Sequence, residues 1–142
     1  MISDIFPYRR QFAPTGPFYS SITDLARFAA ANLNRGEFEG VRILPAATYE
    51  AMWEPISTAD FQLGPLLTPL STQFGMGWVL GTMDGHRIVN HFGADEGYGA
   101  ALILAPDDNV AVVMETNYND YQNVSAWETA AEVLQALLAR EQ

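Results

Sequence analysis

The stretch His91-Phe92-Gly93-Ala94-Asp95-Glu96-Gly97-Tyr98-Gly99 brings an imidazole, two adjacent carboxylates, a phenol and three glycines together. An imidazole here could present a cation or a hydrogen-bond donor to a substrate, because histidine changes charge near neutral pH. A strand-end histidine satisfied by backbone groups is the plainer reading, and residue type alone does not separate the two. Asp95 and Glu96 offer an acid and a base. Adjacent residues on a turn point apart, however, so two solvated charges are the favoured reading. Gly93, Gly97 and Gly99 suit a turn that needs positive φ, and they also let backbone approach a ligand closely. The Ser21/Asp24 and Ser125/Glu128 pairs have the spacing of helix caps, which accounts for them without a third catalytic partner.

What is missing narrows the chemistry further. There is no Cys, which excludes disulfides, thiolate metal sites and a cysteine nucleophile. His86 and His91 lack HxH or HExxH spacing, so no metal site is expected. Nothing in the pattern calls for a cofactor. All seven basic residues are Arg, at 9, 10, 27, 35, 42, 87 and 140. A mechanism that needs Lys to deprotonate a nucleophile or form a Schiff base cannot run on these residues alone. Arg9-Arg10 reads as part of a solvated arm rather than an anion grip.

Several elements must position the cluster. Arg87-Ile88-Val89 and Ala101-Leu102-Ile103-Leu104 flank it, and predict strands over 86–92 and 98–105. Pro106-Asp107-Asp108-Asn109 is a turn by composition. Val110-Ala111-Val112-Val113-Met114 is nearly continuous in apolar character, as expected for a strand at 110–117 covered on both faces. Upstream, Phe74, Met76, Trp78 and Leu80 alternate with Gly75, Gly77 and Val79. That predicts a strand over 74–82 with one crowded face and one bare face open to close packing. Asp84-Gly85 is a two-residue hairpin signal between this strand and the next.

Ser21 predicts the start of a helix over 22–34, with Leu25, Phe28, Ala29 and Leu33 on one face and Gly36 as its stop. Pro45 suits the first turn of a second helix over 45–53, where Tyr49, Met52 and Trp53 share a face. A third helix over 125–140 carries the stripe Trp127, Ala131, Leu134 and Leu138. Trp78 and Trp127 read as core, and Phe74, Met76 and Trp78 as a buried strand face rather than a cleft lining. Residues 1–19 read as an irregular arm, 56–73 as a long loop and 118–123 as a polar loop. The fold class expected is α+β: an antiparallel sheet of about four strands. The C-terminal helix lies on one face, and the two shorter helices lie on the other face or at the edge.

Composition bounds the partners. With 142 residues, 49% hydrophobic and 17% charged, the chain is one globular domain in size and character. A net charge of −10 opposes nucleic acid and anionic membranes. No apolar run is long enough to insert in a membrane, and Met1-Ile2-Ser3-Asp4 has neither the basic start nor the apolar core of a signal peptide.

Five segments together resemble the serine β-lactamase-like family, which includes class C β-lactamases, penicillin-binding DD-peptidases and related esterases. Gly16-Pro17-Phe18-Tyr19-Ser20-Ser21-Ile22-Thr23-Asp24-Leu25-Ala26-Arg27-Phe28 is similar to its GGLYSTAEDLARF stretch. Gly36 with Arg42-Ile43-Leu44-Pro45-Ala46 resembles G…RILSPA. Phe74-Gly75-Met76-Gly77-Trp78 resembles YGLGW. His91-Phe92-Gly93 with Gly97-Tyr98 resembles HTGGTPGY. Ala105-Pro106-Asp107 with Val112-Val113 and Thr116-Asn117 resembles PD…VVVLTN. Order and rough spacing agree across nearly the whole chain.

The resemblance implies a single partial domain over 1–142, the C-terminal part of the family's domain. The family's serine acylates from a Ser-x-x-Lys helix, and the lysine and a Tyr-x-Asn loop manage its proton. Those motifs lie upstream of the matched region. Ser-x-x-Lys cannot exist in a chain without Lys, and Tyr118-Asn119 falls after the sheet, in the wrong place for the loop. The third motif, Lys/His-Thr/Ser-Gly, lines the opposite wall and maps onto His91-Phe92-Gly93. His91, Phe92, Gly93, Gly97 and Tyr98 are therefore the expected substrate-binding residues. Phe92 stands where the family has a hydroxyl, which counts against a carboxylate-bearing substrate.

In the family two more strands continue the sheet beyond the one matching 110–117. The expected partners are thus that missing N-terminal part, or a second copy pairing through the 110–117 edge. Three functions follow: the rear portion of a serine hydrolase, inactive alone; a stand-alone non-catalytic binding module; or a self-association piece. Family members are often periplasmic or secreted, and nothing in these residues assigns this chain a compartment.

Overall fold

The computed structural model describes residues 18–60, 65–95, 97–118 and 126–140. Expectations for residues 1–17, for Glu96, for 119–125 including the Ser125 cap, and for the side chain of Asp95 lie outside the described residues.

Helix α1 (Ile22–Leu33) begins at Ser21, whose Oγ accepts from the Asp24 N–H at 3.2 Å and donates to Asp24 Oδ2 at 2.8 Å. The Ser21 hydroxyl, and after it Arg27 at 2.7 Å, hold the Asp24 carboxyl below its ordinary range. A small hairpin follows, β1 (Glu37–Phe38) with β2 (Val41–Arg42), then helix α2 (Ala46–Met52). Pro45 is the N-cap of α2 rather than a member of its first turn.

Strands β3 (Ser57–Thr58), β4 (Gln73–Phe74), β5 (Val79–Met83), β6 (His86–Asp95), β7 (Tyr98–Ala105) and β8 (Val110–Thr116) form one six-stranded antiparallel sheet in chain order. Helix α3 (Ala126–Leu138) completes the α+β architecture. The four expected strands are there, with two-residue strands added outside them. The strand expected over 74–82 begins instead at Val79, because the chain folds back at 75–78: Phe74 pairs with Val79, and the Gly75 N–H donates to the Trp78 carbonyl at 2.9 Å. The Met76 N–H is taken by the Met52 carbonyl at the end of α2, so Met76 leaves the strand pattern and is exposed.

Side-chain alternation along the strands sends two apolar sets to opposite faces. On one face Ile88, Ala101, Ile103, Ala105 and Val112 meet Ala130, Ala131, Leu134 and Leu138 of α3. Leu67 and Leu70 complete that layer, so part of the stretch read as a plain loop is a cover for the sheet. It can lie so close because Gly81 offers no side chain beneath it. On the other face Trp78, Leu80, Val89, Leu102 and Leu104 meet Ala29 of α1 and Tyr49 and Trp53 of α2. Leu25, Leu33 and Met52 pack there too, whereas Phe28 turns outward and is half exposed. In its place Asn32 is buried, its amide bonded to the Phe28 carbonyl at 2.7 Å.

Candidate functional site

β6 is longer than its neighbour on one side. β5 pairs with it only as far as Val79 opposite Asn90. Beyond that point His91 to Asp95 pair with β7 alone, His91 opposite Leu102 and Asp95 opposite Tyr98. Among the described residues no strand covers the other edge of His91–Asp95. Its backbone donors and acceptors form an open half-edge that an extended ligand could join.

The five expected binding residues sit on this half-edge and its turn. His91 is exposed and, two residues on from buried Val89, belongs to the α1/α2 face of the sheet. Gly93 has open space where a side chain would stand, with nothing within 4 Å. Gly97 has φ of +78° and nothing near its missing side chain, so turn geometry accounts for it. Tyr98 is 44% exposed at the start of β7, on the same face as His91 by alternation. Phe92 points the other way. Its ring stacks on Trp127 of α3, centroids 5.1 Å apart and planes 22° from parallel. The structure thus brings His91, Gly93 and Tyr98 to one side of β6, and sets Phe92 against α3.

Glu115 was not legible as part of this region. It lies opposite Ala100 on β8, and Ala100 lies opposite Gly93 on β6, so the three form a row across the sheet. Burial pushes the Glu115 carboxyl above its ordinary 4.5. Nothing in the run Val112-Val113-Met114-Glu115 marks it out beyond a charge ending an apolar strand. A carboxyl whose pKa is raised on folding disfavours the native state once ionised. Its contribution is fully present below the unfolded value and is lost as pH rises through the folded one. Glu115→Gln is therefore expected to raise the melting temperature at neutral pH and to leave it unchanged well below 4.5. A melting-temperature difference that is flat across this range would count against the assignment.

The second histidine stands apart from the half-edge. His86 Nδ1 meets Asp108 Oδ1 at 2.9 Å, tying the start of β6 to the β7–β8 turn at the opposite end of the strands. Among the described residues no group of three or more His, Cys, Asp or Glu is arranged to hold a metal. No helix among them is long and apolar enough to cross a membrane.

Comparison with known proteins agrees with the resemblance read from the motifs. A hydrolase from Aspergillus campestris (strain IBT 28561), described as Unguisins hydrolase ungD', is 30% identical over 102 residues, 72% of this chain. Those residues make up 18% of that protein, so the chain spans less than a fifth of the relative's length. The profile of the family described as Beta-lactamase matches residues 3–135, nearly the whole sequence. With the motif order, the sheet and the C-terminal helix all in agreement, the chain belongs to the β-lactamase family.

Proposed function

We propose that this chain is the C-terminal portion of a β-lactamase-like serine hydrolase acting on a β-lactam, a peptidoglycan peptide or an ester, and that it supplies one wall of the active site. The observation that carries this reading is the open half-edge of His91–Asp95, one-sided in its pairing and bordered by His91, Gly93 and Tyr98. A substrate laid along it finds backbone partners for its amide or carbonyl groups, with His91 as the side-chain donor. The hydrolase named among the relatives supports the reaction class. The serine and lysine that acylate and manage the proton come from preceding chain, because these 142 residues contain no Lys.

Alone, the chain is inactive by a serine–lysine mechanism. Incubation of the 142-residue chain with a β-lactam or an activated ester is expected to leave its intact mass unchanged. A stoichiometric acyl adduct on any of its serines would sink the assignment. The complete hydrolase, treated in the same way, is expected to gain the adduct.

A second reading is favoured by a separate observation. β8 pairs only with β7 and forms the outer edge of the sheet, with residues 110–116 open on the other side among the described residues. An apolar edge of this length invites another strand. In the complete hydrolase that strand is the preceding chain. In isolation a second copy takes its place, and the chain then acts as a non-catalytic binding or self-association module. Light scattering on the isolated chain is expected to report a dimer or larger species, with the amides of 110–116 protected from hydrogen exchange. A monodisperse monomer with those amides exchanging freely would rule out pairing through this edge.

A further inference from the structure

We infer that Glu115 is a specificity residue: its carboxylate receives a primary ammonium carried on a substrate side chain, which crosses the sheet from the open half-edge over Gly93 and Ala100. The inference rests on the proposed hydrolase reading and adds the substrate class, an acyl group with a lysine-like side chain. Glu115 is half-buried and has no hydrogen-bond or ion-pair partner among the described residues. No cation among them is placed to serve it. Arg27 is paired with Asp24, Arg42 with Glu37, and Arg35 and Arg87 with Glu50. Arg140 follows α3, which packs on the opposite face of the sheet, and the chain has no Lys. A carboxylate in this position has lost part of its hydration without replacement, and a charged donor restores what it lost.

The register connects this carboxyl to the half-edge. Glu115 lies two residues beyond Val113, so alternation puts it on the α1/α2 face, with His91, Gly93 and Tyr98. Gly93 on β6, Ala100 on β7 and Glu115 on β8 are side by side. Gly93 is exposed and has nothing within 4 Å of where a side chain would stand. Between the half-edge and Glu115 this line of the face therefore carries nothing larger than the Ala100 methyl group. A ligand strand beside β6 lies three strand spacings of about 4.8 Å from β8, about 14 Å in all. A lysine-length side chain lying across Gly93 and Ala100 covers nearly half of that distance. The extended glutamate and a hydrogen bond of about 2.8 Å close the rest. A neutral side chain of the same length gains no charge-assisted bond there, and an anionic one is repelled.

The test compares the p-nitrophenyl esters of Nα-acetyl-lysine and Nα,Nε-diacetyl-lysine on the complete hydrolase, with p-nitrophenyl acetate as reference. Both enantiomers are assayed, because handedness decides which face the side chain takes, and the faster one is used. The ester with the free ammonium is expected to have the higher kcat/KM by at least about tenfold, the scale of one hydrogen bond to a charged group. Glu115→Gln should bring the ratio close to one, chiefly through KM, as for a contact made equally in the ground and transition states. Because both esters are read on one preparation, the ratio does not depend on how much of the variant is folded. The net charge of −10 attracts any cation, so Asp107→Asn is the control. It removes the same charge from the exposed turn at the far end of β8 and should leave the ratio unchanged. If the wild type does not prefer the ammonium, or if Glu115→Gln keeps the preference, the inference is overturned and the hydrolase reading stands. A kept preference together with a lower melting temperature for Glu115→Gln would give the carboxyl to a basic side chain of the preceding chain instead. If p-nitrophenyl acetate is cleaved and neither lysine ester is, the inference again falls alone. If none of the three is cleaved, the hydrolase reading itself fails and takes the inference with it.

Discussion

Gly81→Val is expected to lower the stability of the fold by about 3 kcal/mol or more, the upper range for overfilled interiors. A β-carbon at Gly81 would collide with the Pro69 carbonyl oxygen and stand 2.6 Å from the Leu70 Cα. Both are backbone atoms, with no flexible side chain to swing aside. The segment above is also tied down. The Thr82 N–H donates to the Pro69 carbonyl at 2.9 Å, the Thr72 N–H to the Leu80 carbonyl at 3.0 Å, and the Asn90 amide to the Leu70 carbonyl at 2.7 Å. Lifting the segment to admit valine would break bonds worth about 1 kcal/mol each and expose Leu67 and Leu70. Domains of this size are stable by only about 5–15 kcal/mol, so the variant should unfold well below the wild-type denaturant midpoint. Gly93→Ala is the matched control, because nothing lies within 4 Å of its added carbon. It should stay within about 0.5 kcal/mol. Equal midpoints for Gly81→Val and wild type would show that the segment does not sit on β5.

Trp53→Ala should be comparably damaging, about 3–5 kcal/mol, while Trp53→Phe should lose much less. Trp53 is 2% exposed at the end of α2. It meets Tyr49 edge-on at 5.8 Å and Trp78 edge-on at 6.4 Å, and the Arg87 guanidinium lies 5.7 Å from its ring centre. One indole therefore joins α2, the start of β5 and a charged group of β6. Alanine would leave a cavity among these contacts and remove the ring under Arg87. The indole N–H, in contrast, is buried with no hydrogen-bond partner among the described residues. Phenylalanine keeps a ring in the gap and deletes that orphan donor, which offsets part of the lost area. Denaturant melts of the two variants separate the contributions. If phenylalanine proved as harmful as alanine, the polar atom and not the ring would be what this site requires.

These two positions show where the sequence is informative and where it is mute. The Tyr49, Met52, Trp53 face of α2 and the stripe of α3 follow from a 3.6-residue period, and the folded chain buries them except for Met52 and Trp127, which are half-buried. Asp84-Gly85 marks its hairpin by composition alone, and both residues take positive φ, 51° and 91°. Leu67 and Leu70 have no period to betray them, since they belong to a turn whose burial depends on a glycine in a strand further along. The reversal at 75–78 was hidden because Phe74, Met76, Trp78 and Leu80 alternate as a continuous strand would. The chain turns through Gly77, whose φ is +73°, and the reversal is held by a bond from the Met76 N–H to the Met52 carbonyl at the end of α2, a distant partner. At the candidate site, the position of His91 on the strand was legible from local pattern, but Gly93 and Gly99, expected in a positive-φ turn, lie within β6 and β7, and of the three glycines only Gly97 takes positive φ. The direction of Phe92 was not legible, because its partner Trp127 comes from a helix that begins only after two further strands. The length of the half-edge was equally hidden, since it depends on where β5 stops.

A sheet whose strands follow one another in chain order has mostly local contacts, and local contacts form quickly. As the chain is synthesised, each hairpin from β3 onward can close on a strand that has just emerged. α1 is the exception. It is made early, yet it packs on β7 and β8, which come near the end. Until β7 and β8 appear, the face of α1 that carries Leu25, Ala29 and Leu33 lacks the strands it packs on. Of the three helices described, the earliest in the chain is thus the one that waits longest. That interval, rather than the closing of any hairpin, is when the nascent chain is most open to wrong partners.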